Sequence, residues 1–179
     1  MNAPLPLLPA AAIRRLQAID DTRLEQLADL LIDCVEGGAS VSFMHPMTRA
    51  KALAFWRRVA EGTARGERAL LVAEDAEGIV GTVQLVLDLP ENQPHRADLS
   101  KLLVHRRARR RGVAEALMRE AETLARACGR TLLVLDTASD TAARLYARLG
   151  WVECASVPRY ALLPDGAPCA TTFFYRQLA

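Results

Sequence analysis

The sequence predicts a mixed α/β (α+β) fold, a central β-sheet flanked by about four helices, and three observations carry that expectation. Apolar residues change period along the chain, from helical to strand spacing and back. Two β-rich runs are separated by Asp75-Ala76-Glu77-Gly78, the composition of a hairpin turn, so part of the sheet is antiparallel. Further on, a strand-like run at 97–104, a helical pattern at 113–128 and an apolar run at 131–135 form a βαβ unit, whose two strands run parallel. With 179 residues, 51% hydrophobic and 25% charged, the chain reads as one domain, 1–179, that buries its own core.

Residues 1–12 read as a loose N-terminal segment and Ile13–Ile19 as a short first strand. Thr22 and Glu25 have capping-box spacing, and Leu24, Leu27, Ala28, Leu31, Cys34 and Val35 then recur on one helical face until Gly37-Gly38. After a loop with Phe43, His45 and Pro46, a second helix begins near Thr48. It carries Ala52, Phe55, Trp56 and Val59 on one face and stops near Gly62. The hairpin strands are Ala69–Glu74 and Ile79–Leu87, and the polar loop Pro90–Pro94 leads into the strand Ala97–Val104. The helix Val113–Cys128 presents Val113, Leu117, Ala121, Leu124 and Cys128, and Gly129 stops it. Thr131–Leu135 is nearly all apolar, as suits a strand covered on both faces. Ser139 or Asp140 caps a short helix with Ala143, Tyr146 and Leu149, closed by Gly150. Trp151–Val157 and Thr171–Gln177 are the last strands, joined by a loop containing Pro164-Asp165-Gly166.

The chemistry concentrates at one junction. Residues 106–111 hold five arginines, although the net charge of the chain is only +2. They lie between a strand and a helix, just before Gly112. The first N–H groups of a helix have no intrahelical partner and carry the positive end of its dipole, so an oxyanion is favoured there. A glycine lets that oxyanion approach the backbone. A solvated charged face and a nucleic-acid patch are the other readings of the cluster, but a nucleic-acid surface would need a longer stripe with stacking aromatics.

Cys34, Cys128, Cys154 and Cys169 form no Cys-x-x-Cys pair, and His45, His95 and His105 are scattered, so no metal site is expected. The N-terminal stretch lacks the pattern of a secretory signal and no run has the ~20 apolar residues of a membrane span. A cytoplasmic location is the expectation.

Arg109-Arg110-Arg111-Gly112-Val113-Ala114, placed between strand and helix, resembles the Arg/Gln-x-x-Gly-x-Gly/Ala signature of the GNAT superfamily of acetyl-CoA-dependent N-acetyltransferases. Ala142-x-x-Leu145-Tyr146-x-x-x-Gly150-Trp151 resembles a second motif of the same superfamily. His95-Arg96-Ala97-Asp98, Lys101-Leu102-Leu103-Val104, Leu135-Asp136-Thr137, Pro158-Arg159-Tyr160 and Pro164-Asp165-Gly166 are similar to the tabtoxin-resistance type, which acetylates a small amino-acid-like β-lactam toxin. The resemblance implies a GNAT-like sheet, mostly antiparallel with one central parallel strand pair. It also implies direct transfer of an acetyl group to a primary amine in a ternary complex, the work of an acyltransferase with no covalent enzyme intermediate.

The resemblance assigns roles by position. N–H groups of Arg110, Arg111, Gly112, Val113 and Ala114 would hold the coenzyme diphosphate, assisted by the Arg109 and Arg110 side chains. Backbone at Leu102, Leu103 and Val104 would pair with pantetheine as an added strand. Tyr146 would protonate the leaving thiolate, although a tyrosine at helical spacing is otherwise core. Asp98, where relatives of this type carry a glutamate, and Asp136, at the end of the neighbouring parallel strand, are the base candidates. A surface salt bridge for Asp98 and a loop or helix cap for Asp136 stand beside those roles. Ser139 takes the place of an asparagine that contacts coenzyme in the family. Phe43, Trp56 and Tyr160 are candidates to line the acceptor site, built from the first two helices, the loop between them and the 158–170 loop.

The expected co-substrate is acetyl-CoA, with no metal. The expected partner is a small-molecule amine, with no nucleic acid and no membrane; a homodimer stays open. A protein or peptide N-acetyltransferase and a non-catalytic acyl-CoA sensor are the competing functions.

Overall fold

The computed structural model describes residues 11–178. The elements follow the order β1 (Ala12–Leu16), α1 (Asp21–Glu36), α2 (Arg49–Ala64), β2 (Arg68–Asp75), β3 (Gly78–Val86), β4 (Arg96–Val104), a single 3-10 turn (Arg106–Ala108), α3 (Val113–Ala127), β5 (Leu132–Thr137), α4 (Asp140–Arg148), β6 (Val152–Leu162) and β7 (Pro168–Gln177). All seven strands belong to one sheet, ordered β1-β2-β3-β4-β5-β7-β6. Every pairing is antiparallel except that of β4 with β5. The mixed, mostly antiparallel architecture expected from the sequence, with one central parallel strand pair, is therefore the one the chain adopts.

Two hydrophobic clusters lie on the two faces of this sheet. Leu71, Ala73, Val83, Leu85, Ala97, Leu99, Leu133 and Leu135 pack with α3 and α4 residues such as Leu117, Ala121, Leu145 and Tyr146. Leu70 and Val72 pack on the other face with Leu27, Leu31, Trp56 and Val59 of α1 and α2. The alternation of side chains along a strand separates the two sets. Burying each large apolar side chain contributes about 1.5–3 kcal/mol.

Gly81 sets how closely α3 approaches the sheet. A Cβ there would stand 2.9 Å from Val113 Cγ1 and 3.0 Å from Leu117 Cδ1. Gly81→Ala is expected to destabilise the protein by about 1–3 kcal/mol by overpacking and to displace the first turn of α3. Chemical denaturation of the variant beside wild type checks it.

Several boundaries differ from the sequence reading. The first strand ends at Leu16 rather than Ile19, and residues 1–10 of the expected loose segment lie outside the described residues. Asp20, not Thr22, caps α1: its side chain accepts from the Arg23 N–H at 2.8 Å. Helix α2 runs past Gly62 to Ala64. The 158–170 segment is not a loop. Strands β6 and β7 continue through it and meet at a tight turn where Leu163 N–H donates to Ala167 O and Gly166 N–H to Leu163 O. Pro158 is tolerated because β6 is the sheet edge and its register shifts between Val157 and Ala161.

Candidate active site

The parallel strands part company early. Pairing of β4 with β5 covers only Arg96–Asp98 against Leu132–Val134. Beyond that point β4 runs on beside β3 and β5 beside β7, so a gap opens between two strands in mid-sheet. The far edge of β4 in this gap offers backbone N–H and C=O groups to an added extended chain. Leu102, Leu103 and Val104 lie on that edge. Strand β4 also bulges there: Thr82 faces Leu103 and Gln84 faces Ser100, so two steps on β3 match three on β4. Lys101 takes up the extra residue with φ of 53°.

The gap leads to the N-terminus of α3. Asp20, Thr48 and Ser139 cap the other three α-helices with their side chains, whereas α3 has Gly112 and no side-chain cap. Gly112 has φ of 77°, the left-handed region, and a Cβ there would meet nothing within 4 Å. The first intrahelical bond runs from Ala116 N–H to Gly112 O, leaving the preceding N–H groups as free donors. Arg110 is also left-handed, with φ of 62°.

The arginines divide by partner. Arg106 pairs with Asp33, and Arg107 with Asp75 at 2.6 Å, so both are structural. The Arg109 guanidinium turns back and donates to Val104 O at 3.1 Å, beside the end of α1. Arg110 and Arg111 are exposed at the turn.

Asp98 and Asp136 are brought to one face. Asp98 lies between Ala97 and Leu99, which face α3, and Asp136 follows Leu135, which does the same; both carboxylates thus point to the α1–α2 side. Asp98 makes the salt bridge that the plainer reading allowed, to Arg96 at 3.3 Å. Its other oxygen, Oδ1, is buried with no hydrogen-bond partner. Burial raises its pKa; Arg96 opposes the shift and the charge of Asp136 adds to it. Ser139, and not Asp136, caps α4, accepting from Ala142 N–H at 3.3 Å. That bond uses an oxygen lone pair and leaves the Ser139 hydroxyl proton to donate.

Tyr146 approaches from the opposite face. It is only 4% exposed, with ring centroids 6.0 Å from Trp151 and 5.6 Å from Phe174. Burial raises its phenol pKa well above the ordinary value, and Asp136 raises it further. The charge of Asp136 is therefore felt by Asp98 and by Tyr146, one on each side of the gap.

The loop between α1 and α2 closes over the α1–α2 side. Ser40 Oγ donates to Leu162 O at 3.3 Å and His45 N–H to Pro164 O at 3.0 Å, tying this loop to the β6–β7 turn. Phe43 packs edge-on against Phe55, with centroids 5.3 Å apart. Tyr160 is 54% exposed and stands edge-on to Phe173, which pairs with Asp136 across the sheet. Trp56 does not line this side: it is fully buried in the core. Lys101, Ser42, Phe55 and Phe173 belong here as well and were not anticipated. Their only signal was position, three of them beside residues already singled out.

Residues 66–153 match the acetyltransferase (GNAT) domain family. Over that segment the chain is similar to a GNAT acetyltransferase domain. That match spans both the gap and the turn before α3. Solved structures agree over most of the chain. A ribosomal-protein-alanine N-acetyltransferase from Brucella melitensis superposes with a TM-score of 0.77 at 24% identity, over 93% of this chain and 99% of that one. An N-acetyltransferase from Staphylococcus aureus gives 0.78 at 18%, over 94% and 99%. A GNAT phosphinothricin acetyltransferase from Sinorhizobium meliloti, solved with acetyl-CoA, gives 0.78 at 18%, over 94% and 89%. These likenesses show that the chain has the fold of those acetyltransferases. Among the described residues no group of three His, Cys, Asp or Glu side chains is placed to hold a metal ion, and no helix is long and apolar enough to cross a membrane.

Proposed function

We propose that this protein transfers the acetyl group of acetyl-CoA directly to the primary amine of a small, amino-acid-like molecule. The observation that carries the proposal is the gap between β4 and β5, with carboxylates on one face and a buried phenol on the other. A thioester lying in that gap is reached by an amine from the α1–α2 side, while Tyr146 stands behind it. Acetyl-CoA, as co-substrate, supplies the activated acetyl group.

The residues present fit that co-substrate. Leu102, Leu103 and Val104 offer the open strand edge for pantetheine. The N–H groups from Arg110 to Ala114, through Arg111, Gly112 and Val113, form the diphosphate cradle, with the Arg110 and Arg111 charges beside it. Arg109 supports the cradle through its bond to Val104 O rather than by direct contact. Ser139 contributes its hydroxyl proton. Asp98, whose side chain is 40% exposed, takes the proton from the attacking ammonium, and Asp136 orients that ammonium; Tyr146 donates to the departing sulfur. No side chain forms a covalent bond with the acetyl group.

A small acceptor is supported by the roof over the α1–α2 side, where the Ser40 and His45 bonds join the loop to the β6–β7 turn and narrow the entry. The tabtoxin-resistance motifs point to the same acceptor class. The reading treats residues 1–179 as one domain acting in the cytoplasm, without nucleic acid or membrane. It includes a homodimer through the sheet edge β6, where Val152, Val157, Tyr160 and Leu162 are exposed.

Titration with acetyl-CoA, followed by thiol release with a panel of primary amines, tests the proposal. Saturable binding and turnover with free amino acids support it. Turnover with peptides alone would replace it with the peptide reading, and binding without any turnover with the sensor reading. Gly112→Val is expected to weaken acetyl-CoA binding at least 10-fold, because a β-branched side chain is strained at positive φ and crowds the cradle. Calorimetric affinity equal to wild type would show the cradle to lie elsewhere.

A further inference from the structure

On the acceptor side stands a cation that the chemistry above does not use. The bulge of β4 gives Lys101 its positive φ and turns its side chain beneath the α1–α2 loop. There Nζ donates to Ser42 Oγ at 3.1 Å and lies 5.9 Å from the centre of the Phe55 ring. Ser42 is itself held at positive φ, 75°. Among the described residues no carboxylate lies within ion-pair distance of this ammonium. Burial lowers the Lys101 pKa; Asp136 opposes the shift from a distance and Arg68 adds to it. A half-buried ammonium with one exposed hydroxyl and an aromatic face beside it is incompletely compensated, and an anion there would restore part of what desolvation removes. The acceptor side is thus bipolar, with Asp98 and Asp136 at the gap and Lys101 a few residues along the same strand face.

We infer that Lys101 and Ser42 form the anion-holding subsite of the acceptor pocket, so that the acceptor is a primary amine that also carries a carboxylate. This inference rests on the acetyltransferase reading, to which it adds a specificity determinant. The two aspartates receive the acceptor's ammonium, Lys101 and the Ser42 hydroxyl receive its carboxylate, and Phe55 keeps water from the pair. Such a pocket selects against amines that lack the carboxylate, because they leave the Lys101 charge uncompensated.

The test pairs free L-amino acids with the carboxylate-free amines that decarboxylation would give from them. Wild type should acetylate the amino acids with the lower KM. Lys101→Met should raise KM for the amino acids about 10-fold or more, and leave KM for the plain amines and for acetyl-CoA unchanged. Lys101→Arg should recover much of the loss. A second readout does not depend on turnover. Calorimetry with N-acetyl amino acids should show binding to wild type that weakens in Lys101→Met, with no such change for N-acetyl amines. Equal effects on both compound classes, no effect on either, or a wild-type preference for plain amines would overturn the inference. Absence of acetyl-CoA binding would instead defeat the acetyltransferase reading, and the N-acetyl ligands would still decide the role of Lys101.

Discussion

Tyr146→Phe is expected to lower kcat about 100-fold or more while leaving both acetyl-CoA affinity and thermal stability close to wild type. The ring is a core group, packed against Trp151 and Phe174 and almost wholly buried, and phenylalanine keeps all of that packing. Only the hydroxyl is lost, and it has no hydrogen-bond partner among the described residues. A hydroxyl that bonds to no protein group contributes little to the fold, so its removal is close to neutral. Burial and the charge of Asp136 keep the phenol protonated across the working pH range, which makes it a donor and never a base. The effect should therefore appear in thiol release and not in binding. Steady-state kinetics set beside a calorimetric Kd and a melting temperature separate the two. Unchanged kcat would leave Tyr146 as packing alone, and a large fall in melting temperature would mean that the hydroxyl holds the fold.

The elements most legible in the sequence were those whose pattern is enforced by burial on one face. Helix α3 shows its apolar stripe because one side is pressed on β3. The unbroken apolar run of β5 misled: Leu133 and Leu135 are buried, but Leu132 and Val134 on the other face are only half-buried, so the strand is not covered on both sides. The turn into α3 was legible for a related reason: Gly112 readily takes the left-handed backbone at the uncapped start of that helix. Strand β6 was read too short because it lies at the sheet edge with almost no buried face, so no period marks it. Its continuity comes from pairing with β7, a long-range fact that local sequence does not carry. The start of α1 was misplaced because Asp20, Asp21 and Thr22 are all capping types and only the backbone of Asp20 is extended. Lys101 was passed over for the same kind of reason. A lysine in a strand reads as solvent-facing, and the bulge that turns it inward has no signature in residue type. The partition of the arginines also had to be seen: Asp33 and Asp75, far away in sequence, claim two of the five.

Asp98→Asn is expected to move activity and stability in opposite directions. As the base, Asp98 must be ionised, so kcat/KM for the amine should fall as pH drops through a pKa raised above the usual aspartate value. Asparagine cannot accept the proton, and a loss of about 100-fold or more at neutral pH is expected. The same raised pKa means that ionising Asp98 costs the folded state more than the unfolded chain. Its favourable contribution is complete below the ordinary aspartate pKa and is lost as pH rises through the folded-state value. Asparagine has no charge to desolvate, so the variant should melt no lower than wild type near pH 3 and higher at pH 7. With 40% of the side chain exposed and Arg96 beside it, solvent screening limits that gain to about a degree or two. Asp136→Asn discriminates between the two carboxylates. Removing the like charge should shift the acidic limb of the kcat/KM profile to lower pH while Asp98 remains the base. If Asp136 were the base, its asparagine variant would lose turnover altogether and Asp98→Asn would retain it. Melting curves at the two pH values, read beside the pH profiles of both variants, make the assignment. A protein that becomes less stable at pH 7 on losing the Asp98 charge would show that the Arg96 pair outweighs desolvation, and that this carboxylate is held for the fold rather than poised for a proton.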